Sequence, residues 1–179
     1  MRLGAKIFGG LAAILLLFLG IGFFLPGTWN ARAERTVPSP PDAVFAFLNS
    51  PPLWVRWNAM PESGSNFVGP EEGVGSGLEW NDPRYGSGSF RITLSEPNRR
   101  MEYEVQIESG TLAIHGIVRL DAEGQGSRIV WEESGDFGRN PLLGYAARGM
   151  GGSQAEAMEA SLDSLVVLLE EERRPPTLP

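Results

Sequence analysis

Few side chains in this chain are placed to do chemistry, and their spacing limits what that chemistry is. Tyr103 falls on the apolar side of an alternating run, with Met101, Val105 and Ile107, while Arg100, Glu102, Glu104 and Gln106 fall opposite. A phenol in apolar surroundings is an acid–base candidate, with Arg91 or Glu133 assisting only if strand register turns them inward. His115 is the one histidine, and it alternates opposite Ile114 onto the polar side with Arg119. A Ser–His–Asp arrangement would need it, so hydrolysis by that route is not expected. Glu102, Glu104 and Glu132 fall on polar faces; Glu133 shares the parity of Trp131 near a strand end.

Two glycine clusters invite a phosphate reading. Gly73-x-Gly75-x-Gly77 has the wrong spacing for a dinucleotide fingerprint and leads into a strand, so it is expected to be a flexible loop. Gly149-Met150-Gly151-Gly152 precedes helical sequence without the Lys and Ser/Thr of a phosphate-binding loop, and is expected to be a turn. Asp121 to Gly126 lacks the ligands and closing Glu of a calcium loop and is expected to be a hairpin turn. With no cysteine and one histidine, thiolate zinc and disulfides are excluded, and no metal or cofactor is expected.

The elements that would position these residues follow from periodicity. Leu78 with Trp80, then Phe90, Ile92 and Leu94, then the Tyr103 run, then Leu112, Ile114, Val118 and Leu120, then Ile129 and Trp131 each recur at a spacing of two. That is the pattern of half-buried antiparallel strands. Turn chemistry separates them at Asp82-Pro83 to Gly88, Pro97-Asn98, Ser109-Gly110 and Glu123-Gly124. A short strand is expected at Glu34 to Pro38, a small helix opening at Pro40-Pro41-Asp42, and a second from Leu53 to Trp57. Ala59 to Gly77 reads as a polar connection. From Ser153 to Glu172, Met158, Leu162, Leu165, Val166 and Leu169 recur at helical spacing. Ser153 and Glu156 suggest a capping box at its start, and Pro175-Pro176 a stop.

The chain has a net charge of −7, yet Arg2, Lys6 and Arg32 are the only charges before Glu34. The remainder is therefore strongly acidic, which argues against nucleic acid as a partner. Ile7 to Leu25 is uncharged and long enough to cross a bilayer core. Arg2 and Lys6 before it place the N-terminus in the cytoplasm and the rest outside, with Trp29 at the far interface. A signal peptide cut near Ala33 is the competing reading, since Ala31-Arg32-Ala33 fits such a site, although the apolar run is long for one. The expected organisation is a cytoplasmic N-terminus at 1–6, a transmembrane helix at 7–25, a linker at 26–33, a domain at 34–172 and a tail at 173–179.

Particular stretches carry a resemblance. Pro41-Asp42-Ala43-Val44-Phe45, Trp54-Val55-Arg56-Trp57 and Gly73-Val74-Gly75-Ser76-Gly77 leading into Leu78-Glu79-Trp80 come in that order. Gly86-Ser87-Gly88, Ile129-Val130-Trp131-Glu132 and the Leu162/Leu165 end of the last helix follow. Together they resemble the START-like (SRPBCC) superfamily, in particular its bacterial polyketide cyclase/dehydrase-like branch, over residues 34–172. The superfamily also includes lipid-transfer domains and birch-pollen-type allergens.

The resemblance implies an α+β helix-grip fold, a curved antiparallel sheet of about six strands around a long C-terminal helix, with an apolar cavity between them. An N-terminal membrane anchor is familiar in that branch. The lining would come from Trp54, Trp57, Trp80, Phe90, Ile92, Tyr103, Val105, Ile114 and Trp131, with Met158 and Leu162 on the helix. Gly73, Gly75 and Gly77 would border the mouth. Each of these residues also reads as ordinary core. The function so implied is binding of a hydrophobic small molecule or lipid by a membrane-tethered domain. The competing readings are a cyclase or dehydratase using Tyr103, and an envelope interaction module with a filled core.

Overall fold

The computed structural model describes residues 2–60, 64–83, 86–108 and 112–173, and of Arg2 to Lys6 the backbone alone. Its elements are α1 (Arg2–Phe24), β1 (Thr28–Val37), α2 (Pro41–Leu48), α3 (Pro51–Trp54), β2 (Ser65–Val68), β3 (Gly77–Asp82), β4 (Gly86–Glu96), β5 (Arg100–Ile107), β6 (Leu112–Glu123), β7 (Gly126–Asp136) and α4 (Leu143–Arg173). The strands form one antiparallel sheet in the order β1-β7-β6-β5-β4-β3-β2. The first strand thus pairs with the last, Thr28 opposite Asp136 and Val37 opposite Ser127. The chain between them is a meander, and α4 crosses the face that the meander leaves apolar. This is the α+β helix-grip architecture the periodicity and the resemblance implied, with seven strands rather than about six.

Local chemistry explains the elements. Pro41 and Pro51 open α2 and α3, where a missing backbone N–H costs nothing. Asn98 turns the β4–β5 hairpin at φ 61°, a region Asn tolerates better than most residues. Burial alternates along β1, β3 and β6 as the sequence pattern requires, and α4 buries Met158, Leu162, Leu165 and Leu169 on one stripe. On the opposite face of the sheet, Glu132 is bridged by Arg32 at 2.9 Å and by Arg119, and Arg128 meets Glu34 at 2.6 Å. These pairs are solvent-accessible and contribute little to stability.

Several expectations are corrected. β1 starts at Thr28, so the expected linker is strand from Thr28 onward: Trp29, Ala31 and Ala33 are the inward positions of a period-two run, and all are buried. Trp29, expected at a membrane interface, packs over Gly135 of β7 instead. The connection from Ala59 to Gly77 contains an edge strand, β2, paired with β3.

The last helix begins at Leu143, so neither the turn at Gly149–Gly152 nor the Ser153 cap forms. Gly151 there serves packing, because a Cβ on it would sit 2.4 Å from the carbonyl oxygen of Asn30 on β1. The cap lies at Asn140, whose backbone carbonyl accepts from Leu143 and Gly144 and whose Oδ1 accepts from Leu142 N at 2.9 Å. Arg173, assigned to the tail, ends the helix and donates to the Pro38 carbonyl. The turn at Ser109-Gly110, Arg84 and Tyr85 of the β3–β4 connection, and residues 174–179 with Pro175-Pro176 lie outside the described residues.

Candidate functional site

Trp54 is the hub of the inner face. Its ring centroid is 4.5 Å from Trp57, 5.0 Å from Phe90, 5.2 Å from Tyr103 and 5.7 Å from Trp131. Short α3 can place it there because its indole N–H donates to the Leu48 carbonyl at the end of α2. The edge-on contacts with Tyr103 and Trp131 have a geometry aromatic pairs prefer. Sheet register supplies the rest: Ile92 lies opposite Tyr103, and Phe90 and Ile114 both lie opposite Val105. Met158 and Leu162 close over them from α4, both buried. Val105 is only half-buried, and Trp80 stands apart from the Trp54 cluster, packed over Gly88 on β4.

Within this wall lies one polar chain. Trp131 Nε1 donates to the Tyr103 hydroxyl at 2.7 Å, the hydroxyl donates to Glu133 Oε1, and Gln154 Nε2 on α4 donates to Glu133 Oε2 at 2.6 Å. Glu133 is 7% exposed and Tyr103 2%. Burial pushes the Glu133 carboxyl above its ordinary range, with the two donated hydrogen bonds opposing that shift. Burial, and then the neighbouring Glu133 charge, drives the Tyr103 phenol well above its ordinary value. Tyr103 is thereby a neutral donor, and Glu133 is the group in this chain able to hold or release a proton. The arrangement links sheet to helix through a single carboxyl group.

The condition on Glu133 is met: register turns it inward. Arg91 does not join it; its guanidinium donates to the Gly75 carbonyl at 3.0 Å and faces Glu79. His115 is exposed beside Glu104, and Glu102 beside Arg100, as alternation requires. Gln154 is the residue sequence reasoning missed. Its signal was present, since it stands four residues before Met158 and eight before Leu162, a polar residue on the apolar stripe.

The Gly73–Gly77 segment is held rather than loose. Gly73 N donates to Asn49 O and Gly75 N to Ile92 O, both at 2.9 Å, and Gly73 and Gly75 take φ values of 81° and 87° that favour glycine.

Among the described residues, the buried indole N–H groups of Trp29, Trp57 and Trp80 have no hydrogen-bond partner. Trp57 also borders a cleft of about 460 Å³ between the α3 turn and α4, lined by Arg56, Asn58, Ala157, Ala160 and Ser161. A second cleft, of about 470 Å³, lies on the polar face of the sheet by Arg32, His115, Ile117 and Glu132. Neither collects a set of His and carboxylate groups suited to a metal, and no such group occurs among the described residues.

Comparison with known proteins agrees with this architecture. No curated protein matches the chain. Among solved structures, the Mll3558 protein from Rhizobium loti is 22% identical, with 78% of this chain and 96% of that one covered at a TM-score of 0.58. Protein CV1439 from Chromobacterium violaceum is 18% identical, with 79% and 97% covered and a TM-score of 0.57. Ara h 8.0201 is 16% identical, with 79% and 99% covered and a TM-score of 0.55. Identities this low show a shared fold alone. The profile of the family described as "Polyketide cyclase / dehydrase and lipid transport" matches residues 28–170. The chain therefore belongs to this polyketide cyclase/dehydrase and lipid-transport family.

Proposed function

We propose that this chain is a membrane-anchored START-like domain that holds a hydrophobic small molecule or lipid between its sheet and α4, outside the cytoplasm. The observation that carries the reading is the wall around Trp54. It is a broad, buried apolar wall with two convergent polar groups: the Glu133 carboxyl and the unpartnered Trp57 indole. Small-molecule sites have this composition. An unsatisfied buried N–H costs about 1–3 kcal/mol, so a ligand oxygen accepting from an indole recovers that cost. The occupant that fits is an apolar molecule bearing a carbonyl, hydroxyl or ester oxygen. It would enter by the cleft beside Trp57, parting the α3 turn from α4, where Ser161 meets Asn58 at 3.3 Å.

The anchor is supported by α1, which exposes Ile7, Leu11, Ile14, Leu16 and Phe23 rather than burying them in the domain. Its Ile7–Phe24 span is long and apolar enough to cross a bilayer. Cleavage at Ala33 would remove the part of β1 that pairs with Trp131 to Asp136, which favours retention of the segment. The charges of Arg2 and Lys6 favour an N-terminus inside and a domain outside.

A second reading, a cyclase or dehydratase, is favoured by one observation. Tyr103 and Glu133 form a buried phenol–carboxyl pair with shifted ionisation, the kind of pair acid–base catalysis uses.

The test is extraction of the full chain in mild detergent, followed by native mass spectrometry of co-purified ligand for the wild type and for Trp54→Ala. A stoichiometric apolar ligand that Trp54→Ala loses while still folded supports binding. An empty wild-type protein, whose melting temperature ignores a lipid and polyketide panel, overturns it in favour of an interaction module with a filled core.

A further inference from the structure

The membrane helix does not merely precede the domain; it is packed against the start of α4. The rings of Phe18 and Tyr145 stack at 4.3 Å with planes 3° apart, and the Tyr145 hydroxyl donates to the Phe18 carbonyl at 2.8 Å. A Cβ on Gly22 would lie 2.2 Å from the Pro141 carbonyl oxygen, and one on Gly144 would lie 2.8 Å from Leu25 Cβ. Glycine at both positions lets the two backbones touch.

This contact fixes a depth. The span Ile7–Phe24 has 18 residues, roughly 27 Å of helix, close to the thickness of a hydrocarbon core of about 30 Å. Phe18 precedes the end of the span by six residues, so its carbonyl lies roughly 9 Å inside that end. Tyr145 must reach the same depth. Beside it, Leu142 and Leu143 are 55% and 38% exposed, large apolar side chains with nothing of the domain over them. Arg139 and Arg148 flank them, also exposed, and no acidic residue occurs from Phe137 to Ala155 in an otherwise acidic domain.

We propose that residues 139–148 form a lipid-docking edge, in which the first turns of α4 lie in the outer-leaflet interface beside α1. Leu142 and Leu143 enter the acyl boundary, at the depth of about 5–10 Å usual for interfacial helices. Tyr145, stacked on Phe18, reaches below the interface, and Arg139 and Arg148 meet phosphate groups. The inference rests on α1 being a retained membrane anchor. It adds that the helix covering the candidate site begins within the bilayer.

The cysteine-free chain allows a clean test. Leu16→Cys in α1, Leu142→Cys on the edge and Gln125→Cys at the far β6–β7 hairpin would be labelled singly with an environment-sensitive fluorophore. The full-length chain would be placed in nanodiscs of phosphatidylcholine and phosphatidylglycerol bearing shallow or deep nitroxide lipids. The expected result is quenching of Leu16→Cys by the deep label and of Leu142→Cys by the shallow label, each at least twofold above Gln125→Cys. Quenching at Leu16→Cys with Leu142→Cys no different from Gln125→Cys overturns the docking edge and leaves the anchor standing. A blue-shifted but unquenched Leu142→Cys means that protein, such as a second copy, covers the edge, and also overturns it. An unquenched Leu16→Cys overturns the anchor and the docking edge together.

Discussion

The ring of Tyr103 lies directly on the backbone of Gly116, its partner across β5 and β6: a Cβ on that glycine would meet Tyr103 Cζ at 2.0 Å. Two other cross-strand pairs are built the same way. Trp80 covers Gly88, whose Cβ would lie 2.2 Å from the indole, and Trp29 covers Gly135, whose Cβ would lie 2.7 Å from it. In each, the glycine opposite an inward aromatic lets the ring lie flat along the sheet, as in aromatic rescue of strand glycines.

Gly116→Ala is therefore expected to destabilise the protein by about 1–3 kcal/mol, because the buried Tyr103 ring is tied at its hydroxyl and cannot swing aside. In a double-mutant cycle with Tyr103→Ala, read by thermal denaturation in detergent, the two losses should fall clearly short of additive. Additive losses would mean that the contact between this ring and this glycine is not what the substitution disturbs.

Two helix glycines should respond with opposite sign. A Cβ on Gly149 meets nothing within 4 Å, so Gly149→Ala should stabilise α4 by about 0.5–1 kcal/mol through helix propensity. Gly151→Ala carries the same propensity gain but drives Cβ to 2.4 Å from the Asn30 carbonyl, so it should lower the melting temperature. Stabilisation by both would show that α4 does not run against β1 there.

The pH dependence of stability should carry the signature of Glu133. Its carboxyl is raised in the fold above the ordinary value of 4.5, so the native state holds the proton more tightly than the unfolded chain. The stability this gives is complete below about pH 4.5 and is lost as pH rises through the raised native value, by at most ~1.4 kcal/mol per pH unit. Wild type should therefore lose stability relative to Glu133→Gln as pH rises from about 4.5 toward neutrality. A difference between the two that does not change with pH would refute the assignment.

Tyr103→Phe removes the hydroxyl that accepts from Trp131 and donates to Glu133, leaving both without that partner at a cost of about 1–3 kcal/mol. Under the binding reading, the folded variant should retain less co-purified ligand. Ligand kept but turnover of an added substrate lost would instead favour the enzyme reading.

Much of this architecture was legible in the chain. Period-two runs gave the strands that carry Phe90, Tyr103, Ile114 and Trp131, and helical spacing gave the stripe from Met158 to Leu169, because both patterns report a single buried face. The start of α3 was read two residues late, at Leu53 rather than Pro51, while that of α2 was legible at Pro41, where proline acts locally. The start of α4 was not. Gly149, Gly151 and Gly152 read as a break, and the contact that Gly151 makes involves Asn30 of β1, a strand more than a hundred residues away in sequence.

Only the tertiary structure decided the site. Parity offered Glu133 to the inner face, but its partners depend on cross-strand register and on the seating of α4, which brings Gln154 to its second oxygen. Local propensity cannot express that pairing, since hydrogen bonds between distant segments exist only once the sheet has closed. The same holds for Ala31 and Ala33, which by residue type fit a processing site. Closure of β1 onto β7 made them buried strand residues, because the edge of β7 needs backbone partners that only the first strand supplies.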